Sequence, residues 1–220
     1  MTVEQAGPGT TRPGGRTARI RAAVLRATGD LLAEHGFARL DLADVASRAE
    51  VGKTTVYRRW GNPAGLVADL LTEMAEQSLP RTETGTLLGD LTANARLVQR
   101  TLSDARQGAL FRAVIAAAVW DDRTDGALRR FYDVRIGEWA PCVQQAIARG
   151  EVPEGTDGRE VIKAVSAPLY YRLLASREPI DEAAADRAAG AAAIAARAGA
   201  YLRPDVRQAA RPERADEPGM

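Results

Sequence analysis

Residues 41–60 read DLADVASRAEVGKTTVYRRW, and the fold of the whole chain turns on them. Asp41 is a capping residue ahead of Leu42, Val45, Ala46 and Ala49, which recur at the spacing of one apolar helical face, and Asp44 falls in the capping-box position. About three residues of turn follow, then a second short helix from about Gly52 to Trp60. Helix, turn and short helix make a helix-turn-helix. On a wheel at ~100° per residue, Val56 and Trp60 share one side of the second helix, and Thr54 and Arg58 lie opposite. Lys53 and Tyr57 flank that outward face on one edge, Thr55 and Arg59 on the other. Every outward residue is a hydrogen-bond donor and none is a carboxylate. Such a face suits phosphates and base edges, whereas a merely solvated helix usually mixes both signs.

A major groove of ~12 Å admits one such helix, with the side chains near its N-terminus meeting base edges. Lys53 and Thr54 are placed for the bases and Arg58 for guanine or a phosphate, while Thr55, Tyr57 and Arg59 grip the backbone on either side. One short helix reads few base pairs, so two heads ~35 Å apart on a palindromic operator in double-stranded DNA are expected. Arg39, and Arg16 and Thr17 where an arm meets the first helix, extend the donor set. The charge distribution fits: residues 1–60 carry ten Lys/Arg against six Asp/Glu, a balance of +4, while residues 61–220 carry −3. A small anion-seeking module joined to a near-neutral body follows.

Outward from this segment the chain reads as helices and little else. Ile20, Val24, Ala27 and Leu31 place a first helix over about 17–35, stopped by Gly36, and Asn62-Pro63 opens a fourth that runs to about Gln77. Further helices are expected at about 84–103, 105–120, 124–149, 158–176 and 181–202, giving an all-α fold of about nine helices. The Gly/Pro-containing residues 1–15 read as a flexible arm and 204–220 as a disordered tail. Residues 16–62 then form the DNA-binding domain and 63–203 the effector-binding and dimerisation domain.

Several classes are excluded. No apolar run approaches the ~20 residues of a membrane span and no signal peptide opens the chain, so a soluble cytoplasmic protein with no membrane partner is expected. One cysteine, Cys142, and one histidine, His35, build neither an internal disulfide nor a Cys/His zinc cluster. No metal and no cofactor are expected. Gly52-Lys53-Thr54 ends like a P-loop, but Ser47 stands where the first glycine belongs and a helix precedes it rather than a strand. Hydrolase and metalloprotease motifs are absent, His35 reads as a helix-end residue, and no catalytic residues are assigned.

In the body, Phe111, Trp120, Phe131, Tyr132, Trp139, Tyr170 and Tyr171 are the aromatics proposed to line a small-molecule effector pocket, with Arg172 as its cation. Plain core is the competing reading. Pro141 and Pro168, inside helical patterns, each remove an amide donor and kink a helix, opening space beside it. A cation and polar aromatic tips at the second bend suit an amphipathic or anionic effector. Cys142 reads as a small buried residue. From Ala183 to Leu202 alanine and glycine dominate, which lets another helix approach closely, and the last two helices are expected to pair across a two-fold axis in a homodimer.

The run GFARLDLADVASRAEVGKTTVYRRW, continued by GNPAGLV, resembles the N-terminal domain of TetR-type transcriptional regulators through Gly36-Phe37, Val45-Ala46, Val51, Thr55-Val56-Tyr57 and Leu66. The match covers about residues 17–70. It implies an all-helical homodimeric repressor, released from a palindromic operator by a small molecule held in a divergent C-terminal domain, with Lys53, Thr54, Thr55, Tyr57 and Arg59 at the family's DNA-contacting positions. Arg58-Arg59-Trp60 is similar to the ending found in one subgroup. Four departures stand out: Glu50 where the family has a turn glycine, Gly52 for a hydroxyl cap, Pro63 for a basic residue, and Asp41 for a threonine. Glu50 is then expected in a left-handed conformation costing roughly 1 kcal/mol. Two other readings compete: an all-helical small-molecule-binding protein or enzyme whose N-terminal helix pair docks a protein, and a TetR-type activator.

Overall fold

Most helices begin where the sequence supplies a capping side chain. The computed structural model describes residues 14–77 and 81–204, and the expectations for the arm and the tail fall almost wholly outside these. The helices are α1 (Gly14–His35), α2 (Leu42–Arg48), α3 (Lys53–Trp60), α4 (Pro63–Glu76), α5 (Leu87–Ser103), α6 (Ala105–Ala118), α7 (Asp122–Trp139), α8 (Pro141–Ala148), α9 (Gly158–Tyr171) and α10 (Glu182–Arg197). Asp41 accepts a hydrogen bond from the Ala43 amide at 2.6 Å and Asn62 from the Gly65 amide at 2.9 Å, with Pro63 in the first turn of α4. Thr86, Asp104, Asp121, Asp157 and Asp181 cap α5, α6, α7, α9 and α10 in the same way. Each cap supplies one acceptor to amides that have no partner inside the helix. No strand occurs among the described residues; one isolated antiparallel bridge joins Thr156 and Leu202. The chain is all-α.

The structure corrects several boundaries. Helix α1 starts at Gly14, inside the segment expected to be an arm, since its first turn is exposed and needs no apolar face. The helix expected over 124–149 is divided at Ala140 rather than merely kinked. Pro141 has no amide to continue the ladder, and the Ala140 carbonyl packs against the start of α9, where a Cβ on Gly158 would sit 2.8 Å from it. Pro168 lies within α9, which passes into a π-helical turn, Arg172–Ser176, closed by Arg177 at φ 55°. Cys142 is fully buried, and burial together with the nearby Asp90 charge pushes its thiol up to about 11.

Two apolar clusters organise the packing. One runs from Val24, Leu32, Val45, Val56 and Trp60 in α1–α3, through Leu66 and Leu71 of α4, to Phe111 of α6, Phe131 of α7 and Leu169 of α9. The other joins α5, α8, α9 and α10 through Leu91, Val143, Val161 and the alanines Ala185, Ala189, Ala192 and Ala196. The small side chains of α10 are thus spent largely inside the subunit, on the faces towards α5 and α9.

Glu50, in the turn between α2 and α3, has φ 55°, the left-handed conformation expected from its position. Its side chain is exposed, so nothing offsets the strain. Glu50→Gly is expected to raise the free energy of unfolding by about 1 kcal/mol, read as a higher urea midpoint with an unchanged slope.

Candidate nucleic-acid interface and effector cavity

Helix α3 buries Val56 and Trp60 and exposes Lys53, Thr54, Tyr57, Arg58 and Arg59, with Thr55 half-buried at the edge. The wheel drawn from the sequence and the burial pattern agree residue by residue. Arg39, in the 3-10 turn Phe37–Arg39, and Arg16 and Thr17, in the first turn of α1, are exposed as well. Lys53 and Arg58 form no ion pair with any described acid, whereas the Arg59 guanidinium lies 5.0 Å from the centre of the Trp60 ring.

What the sequence did not reveal is how this helix is held. The Trp60 indole Nε1 donates to Asp69 Oδ2 of α4 at 2.9 Å. Asp69 also receives Arg21 of α1, with Nη2 at 2.7 Å from Oδ1, and Arg21 bonds Glu73 one turn further along α4. Burial would raise the Asp69 carboxyl, but hydrogen bonds from Arg21 and Trp60, with the charges of Arg21 and Arg59, outweigh it and hold it below the ordinary carboxylate range. One carboxylate therefore ties α1, α3 and α4 together. Gly65 completes the junction, because a Cβ there would stand 2.2 Å from the Trp60 carbonyl oxygen. The spacing of Asp69 and Glu73 on one helical face was visible in the sequence, but their partner lies 48 and 52 positions away.

Between α5, α6, α7 and α9 lies a cavity of about 90 Å³. Of the eight residues proposed for an effector pocket, Phe111, Phe131, Tyr132, Trp139 and Tyr170 line it. The other three do not. Trp120 follows the end of α6 and is 90% exposed. Tyr171, one residue past Tyr170, is turned ~100° around α9 and is 64% exposed. Arg172 reaches forward along the chain, to the Pro179 carbonyl and the Glu178 carboxylate, each at 2.8 Å. The lining that sequence reasoning missed comes from α5, namely Asn94, Leu97, Val98, Thr101 and Leu102, with Arg135 and Ile136 of α7 and Ile162 and Ser166 of α9. Its rings stand edge to face: Phe111 against Tyr170 at 6.3 Å, Phe131 against Tyr132 at 5.3 Å, and Tyr132 against Tyr170 at 5.6 Å. Burial pushes both tyrosine hydroxyls above their ordinary range.

Residues 24–70 match the family model of bacterial regulatory proteins of the tetR family, and residues 81–192 match that of the tetracyclin repressor-like C-terminal domain. The chain belongs to the TetR family. It is 30% identical over 161 residues to YdeS, an HTH-type transcriptional regulator of Bacillus subtilis, covering 73% of this chain and 81% of that one. It is also 30% identical over 164 residues to the DNA-binding transcriptional repressor TetR of Mycobacteroides abscessus, covering 74% and 85%. Among solved structures it is similar to the TetR-family regulator SCO0332, with 27% identity, a TM-score of 0.62, and coverage of 80% and 97%. As a TetR-family member the protein is a DNA-binding transcriptional regulator and not an enzyme. Among the described residues no helix is long and apolar enough to cross a membrane.

Proposed function

We propose that the protein is a homodimeric, cytoplasmic repressor that grips a palindromic operator with two copies of α3 and lets go when a small molecule fills the cavity between α5, α6, α7 and α9. Lys53, Thr54 and Arg58 read or approach the bases, and Thr55, Tyr57, Arg59, Arg39, Arg16 and Thr17 hold the backbone. Support for the dimer comes from large apolar side chains left uncovered on the last two helices and the turn between them: Ile194 is 68%, Tyr171 64% and Leu174 45% exposed. Two such surfaces pairing across a two-fold axis fix the distance between heads.

The observation that carries the release mechanism is the position of Phe131. It lines the cavity and also the seam where α7 packs on α4, with Leu71 and Ala75. Helix α4 in turn holds α3 through Asp69 and Trp60. A ligand that displaces Phe131 favours a different packing of α7 on α4, and so a different head separation. By linkage, a ligand that prefers that state lowers operator affinity, by about 1–3 kcal/mol in systems of this kind. The test begins with selection of bound duplexes from a random library, which is expected to return an inverted repeat with half-sites one helical turn apart. Small molecules that change the emission of Trp139 are then titrated against the bound operator. Binding that saturates without altering operator affinity would refute release, and a monomer at every concentration would refute the paired heads.

A further inference from the structure

Several polar groups around the cavity are engaged by the protein itself, and one buried acceptor that is not specifies a ligand. Thr101 Oγ1 donates to the Leu97 carbonyl at 3.0 Å and Ser166 Oγ to the Ile162 carbonyl at 3.3 Å, each one turn back on its own helix. The Tyr132 and Tyr170 rings pack edge to face, 5.6 Å apart. Arg135 pairs with Glu138 at 3.4 Å and lies 5.9 Å from the Phe131 ring centre, so the wall offers no unbalanced cation. Asn94 differs. It is only 4% exposed, it faces the cavity, and its Oδ1 accepts no hydrogen bond. A buried acceptor left unpaired is costly, and a ligand donor placed against it gains accordingly.

We infer that the cavity takes a compact, uncharged aromatic molecule with one hydrogen-bond donor, its ring among Phe111, Phe131, Tyr132 and Tyr170 and its O–H or N–H on Asn94 Oδ1. This rests on the effector reading above and deepens it. The volume of about 90 Å³ limits the guest to a single small ring, since an engineered apolar cavity of roughly 150 Å³ takes one benzene. Edge-to-face rings present further aromatic edges and faces to such a guest. A carboxylate is excluded because Glu138 neutralises Arg135 and nothing else in the wall repays the desolvation of a charge. The anionic effector expected from Arg172 loses its basis, since that cation is outside the cavity and already paired.

Phenol, toluene and benzoate test this by calorimetry on the full chain without DNA. Phenol and toluene share a shape, so their affinity ratio isolates the donor. Phenol is expected to bind and benzoate not. In Asn94→Leu, which removes the unpaired acceptor and so retains the fold, the ratio of phenol to toluene affinity is expected to fall about tenfold. An unchanged ratio, tighter binding of benzoate than of phenol, or no binding by any of the three overturns the inference. A crystal structure of the unmutated protein with phenol gives an independent reading: the hydroxyl against Asn94 Oδ1 supports it, and a ring seated with its hydroxyl elsewhere overturns it. Phenol bound as described but without effect on operator affinity leaves the ligand class standing and refutes the release mechanism instead.

Discussion

Replacing Trp60 by alanine is expected to destabilise the protein by about 3–5 kcal/mol, the largest loss anticipated from any single residue of α3. The indole is 4% exposed and sits in the apolar cluster that joins α1, α3 and α4. Its removal leaves a ring-sized hole and takes one donor from Asp69. Domains of this class hold roughly 5–15 kcal/mol in total, so a loss of this size loosens the DNA-binding helices at temperatures where the unmutated chain is intact. Trp60→Phe separates the two contributions, because it keeps most of the apolar contact and deletes the Nε1 hydrogen bond. Asp69 still has Arg21, and the cost is expected to be about 1–3 kcal/mol. Urea titration of both variants provides the check, and equal losses in the two would show that the hydrogen bond, not the packing, holds α3. The same junction gives a sign for pH. Asp69 is held below its ordinary range, so its contribution is complete above the ordinary carboxylate value and is lost as pH falls through the lowered one.

How far the sequence reaches is seen by comparing α3 with the cavity. Helix α3 was legible because its reading needs only local information. A period of ~3.6 residues separates Val56 and Trp60 from Lys53, Thr54, Tyr57 and Arg58, Asn62-Pro63 marks the next helix start, and the family pattern implied the left-handed φ at Glu50. The cavity depends on helices far apart in the chain. Phe111, Tyr132, Trp139 and Tyr170 were identifiable as aromatics, but nothing local distinguished Tyr170, which faces inward, from Tyr171, which faces out. Asn94 carried no signal at all: a lone asparagine within LTANARLV reads as an exposed helical residue until the fold buries it against the cavity. Pro141 was ambiguous for a related reason. A proline can kink a helix or start a new one, and here the close approach of Gly158 to the Ala140 carbonyl accompanies a new start.

Salt provides the second large effect, and it decides between a DNA-binding face and one that docks a protein. A head that places at least three cations near phosphates, used twice in a dimer, makes six or more such contacts. Operator affinity is then expected to fall about a thousandfold or more between ~50 and 200 mM salt, through the release of condensed counterions. A protein partner held by apolar packing imposes no such slope. Single substitutions sort the residues further. Arg59 leaves the flank of α3 with its guanidinium stacked on Trp60, a placement suited to the backbone; Arg59→Ala is expected to weaken all duplexes alike and to lower the salt slope by roughly 0.9 per lost phosphate contact, hence about 2 for the dimer. Lys53, at the exposed start of the helix, is placed for a base edge. Lys53→Ala is expected to cost about 1–3 kcal/mol on the cognate site and little on a scrambled one. Filter binding or fluorescence anisotropy across a salt series separates the two. A Lys53→Ala protein that loses cognate and scrambled affinity equally would move that residue from the bases to the backbone. An affinity indifferent to salt would remove the duplex as the partner of α3.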